Sequence, residues 1–251
     1  MKATKYVKID GKFKMHRGGE LESPTIAYET WGECKGDGEN AVLIFTGLSP
    51  SAHASSSAKD PTSGWWEDMI GSGLPLDTDK FFIICINSLG SCFGSTGPNS
   101  VDSLTGKRYK LSFPVLSLED VAKGGYEVTK ALGLKKINTT IGCSMGGMTA
   151  LSFCVQFPRI SERLISISSS ARALPFSIAI RSLQREMIRR DPKWNDGNYD
   201  PKDPPLIGAR LARKLGMITY RSAREWEIRF ARERNTFEKD ENEKFIGDFA
   251  V

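Results

Sequence analysis

The sequence predicts an α/β fold, a mostly parallel sheet covered by helices, and three observations predict it. Apolar runs at Ala41–Phe45 (AVLIF), 81–86 (FFIICI), 137–141 and 164–167 (LISI) read as strands buried on both faces. Residues 118–132 (LEDVAKGGYEVTKAL) read as a crossover helix ending at Gly133. At Gly142 a strand runs through a sharp turn into an apolar helical pattern, GCSMGGMTALSF. Strands alternating with helices in this way belong to α/β folds.

Taken in order, the first residues alternate at Tyr6-Val7-Lys8-Ile9 and again at Phe13-Lys14-Met15, which reads as a first β-hairpin. The basic N-terminus lacks the apolar core of a secretory signal. Residues 1–172 form the α/β part. From Pro175 the strands stop, and 173–251 reads as a helical block. Its first helix places Phe176, Ile180, Leu183 and Met187 on one face, with Arg181, Arg185 and Arg189 on the other. A Pro-rich loop at 191–205 precedes further helices, LIGARLARKLGMITY and SAREWEIRFARER.

The 251 residues (27.8 kDa) suffice for one domain with a substantial core, and 39% hydrophobic with 26% charged content is ordinary for a globular protein. No long uncharged apolar run is present, so no membrane span is expected and the cytoplasm is the default compartment. Five scattered cysteines without a CxxC pair predict reduced, mostly buried thiols and no metal site. The net charge of +5 is uneven: 12 of the 16 arginines lie in 172–234. Solvated helix faces, nucleic-acid binding, and contact with an anionic substrate or a carrier's phosphates are the readings this leaves open.

Gly142-Cys143-Ser144-Met145-Gly146 fits G-x-S-x-G between a strand and a helix, the setting in which a serine acts as a nucleophile. Gly142 and Gly146 leave room for the tight turn. The Met145 amide, opening the helix, would face a developing oxyanion. The second amide is expected from the loop after AVLIF, TGLSPSAHA, with Leu48 as the donor. A glycine-rich turn carrying a passive serine is the plain alternative.

Several stretches together resemble the homoserine and serine O-acyltransferase family of α/β-hydrolase enzymes. They are the segment GWWEDMIGSGLPLDTDKFFIICINSLGSCFGSTGPNSVDSLTGKRY, the elbow GCSMGGMTAL, and the lid-like SSSARALPFSIAIRSLQREMIRRDPKWNDGNY and GARLARKLGMITYRS. The resemblance runs from about residue 26 to about residue 234 and implies an α/β-hydrolase fold whose helical block starts a lid. It implies a two-step acyl transfer in sulfur amino acid biosynthesis. Ser144 takes an acetyl or succinyl group from acyl-CoA and passes it to the hydroxyl of L-serine or L-homoserine. Acyl-CoA is then a substrate, and no cofactor or metal is implied. The lid arginine that would meet the amino acid's carboxylate falls on Arg213. Partners are small molecules, with no nucleic acid and no membrane, and a homodimer is one oligomeric state open to it. TGLSPSAHASS and SSSARALPFSIAIR sit closer to the serine branch. Ser91, where the signature more often has glycine, and Cys143 beside the serine depart from the pattern.

The family completes a Ser-Asp-His triad from residues beyond the lid. Here His16 and His53 both precede Ser144, and none of the 107 residues after it is histidine. Asp248 lies in KFIGDFAV, which does not read as a strand-end loop. His53, in the oxyanion loop, reads as ordering that loop, and His16 as a surface residue. The expectation is a C-terminally truncated chain lacking its last strands, inactive alone. An esterase or thioesterase of the same fold, or a non-catalytic binding remnant, are the competing readings.

Overall fold

The structure, a computed structural model, describes residues 2–231. Chain contacts divide it into two compact units, one up to Arg172 and one from Ala173 on.

The first unit holds ten strands and two α-helices: β1 (Lys5–Lys8), β2 (Lys12–Lys14), β3 (Glu20–Glu22), β4 (Thr25–Trp31), β5 (Ala41–Phe45), β6 (Ile70–Gly71), β7 (Leu76–Asp77), β8 (Phe82–Ile86), α1 (Leu118–Ala131), β9 (Ile137–Cys143), α2 (Met145–Gln156) and β10 (Ser161–Ile167). Six of them form one sheet in the order β1-β4-β8-β5-β9-β10. β8, β5, β9 and β10 run parallel, and β1 and β4 add an antiparallel flank.

The predicted first hairpin does not form. β1 pairs with β4 through Tyr6 and Ala27, and β2 pairs with β3 through Phe13 and Leu21. Between them Ile9 donates to the Pro24 carbonyl and the Gly11 carbonyl accepts from the Ser23 amide, each at 2.8 Å, so this segment is tied to the chain leading into β4. β1 instead meets β4, a seven-residue strand absent from the sequence expectation.

Burial follows position in the sheet. Every residue of β5, at the centre, is buried. β10 is the outermost strand among the described residues; it packs on α2, and its Leu164, Ile165 and Ile167 are partly exposed. The expectation that 164–167 is buried on both faces therefore fails here, because a strand at the rim has fewer neighbours than one at the centre.

One core lies between the sheet and the helices α1 and α2, built on Phe45, Ile86, Val128 and Phe153. Phe153 rests its ring 5.5 Å from Phe45 and 5.4 Å from Phe157. The second core, with Trp31, Val42, Ile44, Ile83 and Ile141, is closed by the segment after β5, which contributes Ala52, Ala54, Trp65 and Trp66. α1 starts where the buried Asp120 accepts hydrogen bonds from the amides of Ser117 (2.9 Å) and His16 (2.6 Å). It ends before Gly133 at φ 72°, a conformation glycine adopts without strain.

The second unit contains α3 (Pro175–Arg189), α4 (Leu206–Thr219) and α5 (Ala223–Phe230). α3 packs on α4, with Gln184 Nε2 donating to the Ala212 carbonyl at 2.7 Å. A Cβ at Gly208 would fall 2.4 Å from the Met187 carbonyl, so glycine permits the close approach. Asp191 joins the two by accepting from the Gly208 amide at 2.9 Å. The face of α3 turned inward carries Ile180, Gln184, Met187 and Ile188, while Phe176 and Leu183 of the predicted apolar face are exposed. The inward face of α3 meets the small residues Gly208, Ala212 and Gly216 of α4. No helix among the described residues is long and apolar enough to cross a membrane.

Candidate active site

β9 delivers the chain to Ser144 at the edge of the first unit. Ser144 has φ 55° and ψ −121°, a left-handed conformation that costs a non-glycine residue on the order of 1–3 kcal/mol. The surroundings hold it there. Its amide donates to the Ile167 carbonyl of β10 at 2.9 Å, and its carbonyl accepts from the amides of Gly147 (3.0 Å) and Met148 (3.2 Å). The side chain points outward: the residue is exposed, and its hydroxyl makes no hydrogen bond among the described residues.

Each glycine of the turn has a steric reason. A Cβ at Gly142 would fall 2.1 Å from the Gly146 carbonyl oxygen, and one at Gly146 would fall 2.1 Å from that of Phe45. One at Gly147 would press within 2.7 Å of Ser169 Cβ. The start of α2 is therefore wedged between the ends of β5, β9 and β10, which aims its free amides at the space beside Ser144. The Met145 amide has no backbone partner among the described residues, and the first turn of α2 carries no acidic side chain to occupy it.

The segment after β5 passes alongside. A Cβ at Gly47 would stand 3.4 Å from the Cys143 carbonyl, in ordinary contact with the elbow. Leu48 follows, 64% exposed, its amide likewise without a hydrogen bond among the described residues. Ser144 and Met145, consecutive in the elbow, and Leu48, next to Gly47, thus belong to two adjoining stretches of backbone within one unit.

Beyond Leu48 the segment is tied down by polar contacts that the sequence did not reveal. The Ala52 amide donates to Asn87 Oδ1 at 2.6 Å, and Asn87 Nδ2 donates to the Phe93 carbonyl at 2.7 Å. Trp65 Nε1 donates to the Ser51 carbonyl at 2.8 Å. Glu67 accepts from the amides of Ser56 (2.8 Å) and Gly64 (2.7 Å), which places its carboxyl below the usual range, with the Ser56 hydroxyl as the leading cause. His53 sits in this framework against Glu29.

The remaining sequence-predicted residues are not part of the elbow. Arg213 belongs to the second unit, exposed on α4 and without an ion pair among the described residues. His16 is a surface residue, 3.9 Å from Glu119. Asp248 and the end of the helical block, 232–251, lie outside the described residues. The cysteines depart from expectation: Cys85 is buried, Cys143 and Cys154 half-buried, and Cys34 and Cys92 exposed. Cys34 and Cys92 stand in loops that no layer covers.

The α/β-hydrolase fold family matches residues 40–242. The serine O-succinyltransferase of Litchfieldella anticariensis is 54% identical over 249 residues, covering 99% of this chain and 68% of that protein. The chain belongs to the homoserine and serine O-acyltransferase family. Among solved structures, this family member is similar to the homoserine O-acetyltransferase from Bacillus anthracis. That likeness has a TM-score of 0.84 at 29% identity and covers 95% of this chain and 65% of that one. It is also similar to an acetylester hydrolase from Corynebacterium glutamicum, with a TM-score of 0.79 at 26% identity over 90% and 61%. The chain spans about two thirds of the length of the curated O-acyltransferases it matches.

Proposed function

We propose that the chain supplies the nucleophile and oxyanion hole of a serine O-acyltransferase that moves a succinyl group from succinyl-CoA to the hydroxyl of L-serine. The observation that carries this reading is the strained, exposed Ser144, with the amide of the next residue, Met145, and that of Leu48, beside the Gly47 contact to the elbow, both without hydrogen bonds among the described residues. Acyl transfer needs a hydroxyl free to attack and donors placed where negative charge develops.

In the first step the Ser144 hydroxyl adds to the thioester carbonyl and gives its proton to a base. The carbonyl oxygen, now negative, accepts from the two amides. The C–S bond then breaks, and the CoA thiolate leaves and is protonated. In the second step the hydroxyl of the amino acid adds to the acyl-Ser144 ester and loses its proton to the base, which passes it to Ser144 Oγ as the C–Oγ bond breaks.

The choice of succinyl and serine rests on the name of the 54% identical Litchfieldella anticariensis relative, against acetyl and homoserine in the Bacillus anthracis structure. In this reading Arg213 pairs with the carboxylate of the amino acid, and its exposed, unpaired guanidinium suits that role.

A base is not supplied by the described residues. His53 has both ring nitrogens engaged, and no histidine follows Ser144 in the 251 residues. Removing a triad member typically leaves only the catalysis of binding and oxyanion hole, about 10⁴- to 10⁶-fold below the complete site. The cytoplasm is the proposed compartment, following the substrates.

The test is acyl transfer by the full-length protein from its own cells, with succinyl-CoA or acetyl-CoA against serine or homoserine. Intact mass then checks for an acyl adduct on Ser144. Transfer to serine, lost in Ser144→Ala, supports the reading. Hydrolysis of the thioester with no acceptor product supports the esterase alternative, which the acetylester hydrolase structure keeps in view.

A further inference from the structure

We infer that His53 and Glu29 are positioning residues of the oxyanion hole: their buried ion pair pins the segment that carries the Leu48 amide. The inference rests on the reading of Ser144 and Leu48 above and extends it to two residues on different elements.

His53 Nδ1 lies 2.9 Å from Glu29 Oε2, with the two side chains 11% and 1% exposed. Its Nε2 lies 2.8 Å from the Thr62 carbonyl oxygen, which can only accept, so Nε2 carries a proton. The Thr62 hydroxyl, 3.1 Å from the same nitrogen, donates its own proton to Asp60 Oδ1 at 2.7 Å. Glu29 accepts from the Thr4 hydroxyl at 2.9 Å through its other oxygen. With Nε2 protonated, an ionised Glu29 makes Nδ1 a donor too, and the ring is then an imidazolium facing a carboxylate.

The groups facing it are Glu29 from β4 and Asp60 and Thr62 from its own segment, and the Cys85 thiol of β8 stands opposite Glu29 in the sheet register. Burial, and then the Glu29 charge, push the Cys85 thiol up, so it stays neutral. Burial alone would lower the His53 pKa. The Glu29 hydrogen bond, the Thr62 carbonyl and the charges of Glu29 and Asp60 outweigh it and raise the value above the usual one.

Leu48 is five positions before His53. Its own amide has no hydrogen bond among the described residues and its side chain is exposed, so nothing local fixes it. Its place is set from the two ends, β5 on one side and the anchored Ala52-His53 pair on the other. Neutralising His53 leaves the Glu29 carboxylate buried opposite an uncharged ring. Breaking one half of a buried pair is costly, and the segment that can move to relieve it is the one carrying Leu48. A displacement of about 1 Å at a catalytic donor lowers turnover on the order of 10²-fold.

The test uses the full-length protein with His53→Gln and Glu29→Gln, each checked for native circular dichroism. We expect kcat to fall about 10- to 100-fold in both, with KM little changed. Wild-type kcat should decline on the alkaline side as His53 loses its proton, and this limb should be absent in His53→Gln. Exchange of the bonded amides that hold this segment, Ala52 on Asn87 and Trp65 on the His53 carbonyl, referenced to β5, reads the clamp without turnover. It should speed up in both variants, and in the wild type as the pH rises beyond intrinsic exchange. Unchanged kcat, unchanged alkaline limb and unchanged exchange in folded His53→Gln would overturn the inference. If the variants do not fold, wild-type exchange that ignores pH would overturn it. Transfer that survives Ser144→Ala would sink the proposed function instead, and the exchange result would still judge the clamp.

Discussion

The backbone of Gly146 lies directly against the carbonyl of Phe45: a methyl group on Gly146 would stand 2.1 Å from that oxygen and 2.8 Å from the Thr46 carbonyl. The first turn of α2 thereby sits on the end of the central strand, and the position of the Met145 amide depends on this contact. Gly146→Ala should destabilise the protein by about 1–3 kcal/mol, since β5 is hydrogen-bonded on both sides and cannot yield. Chemical denaturation measures it, and a midpoint equal to wild type would mean that the turn adapts freely.

Ser144 holds φ 55°, a backbone conformation that costs a non-glycine residue stability. Ser144→Gly should raise stability by about 1 kcal/mol, because glycine removes the strain and its greater unfolded-state entropy returns only part of the gain. The same variant should form no acyl-enzyme. Thermal unfolding and intact mass after exposure to acyl-CoA check the two halves separately. A less stable Ser144→Gly would show that the conformation is not strained.

Phe153 is fully buried where α2 meets the sheet, between Phe45 and Phe157. Phe153→Ala should cost about 3–5 kcal/mol, from lost burial and from the cavity left beneath the elbow. Urea titration followed by tryptophan fluorescence reads it, and a loss under 1 kcal/mol would mean that the core collapses to fill the gap.

Protonation of His53 couples the segment to pH. Its folded pKa is raised, so the stability it contributes is complete below the ordinary histidine value of about 6.5. That stability is lost as the pH rises through the folded value. Wild-type stability should therefore fall on this alkaline side, and His53→Gln should be lower overall and flat there. Denaturation midpoints across pH 6 to 9 test it, and parallel curves for the two proteins would remove the coupling.

Asp60 works in the opposite direction. The Thr62 hydroxyl first, and then the Lys2 amide, hold its carboxyl down to about 2 from the usual 3.8. Its contribution is present above the ordinary value and is lost as the pH falls toward 2. Asp60→Asn should flatten the acid limb of stability in that window, and an unchanged limb would assign acid unfolding to other carboxylates.

The sheet and the elbow were both legible as local patterns. AVLIF and FFIICI show their burial because a central strand must be apolar on both faces, and β5 and β8 take those places. G-x-S-x-G with Gly147 is visible because only glycine tolerates the approaches at Gly142 and Gly146. The mispaired hairpin, by contrast, was illegible. Tyr6-Val7-Lys8-Ile9 has the alternation of any half-buried strand, and nothing in it names β4 as its partner. The burial of 164–167 and of the cysteines was misjudged for a related reason, since apolar character does not tell a strand its rank in the sheet.

By itself the sequence determined that AVLIF and FFIICI become buried strands, that 118–132 becomes a helix and where the serine turns, because each depends on spacing within a few residues, while the family resemblance rests on longer stretches taken together. Tertiary structure alone decided strand order and the approach of Gly47 to the carbonyl of Cys143. It also decided the pairing of His53 with Glu29, 24 residues away, and of Ala52 with Asn87, 35 away. Those contacts depend on which surfaces meet in space, and a buried charge or amide accepts its partner from whichever element the packing brings within reach.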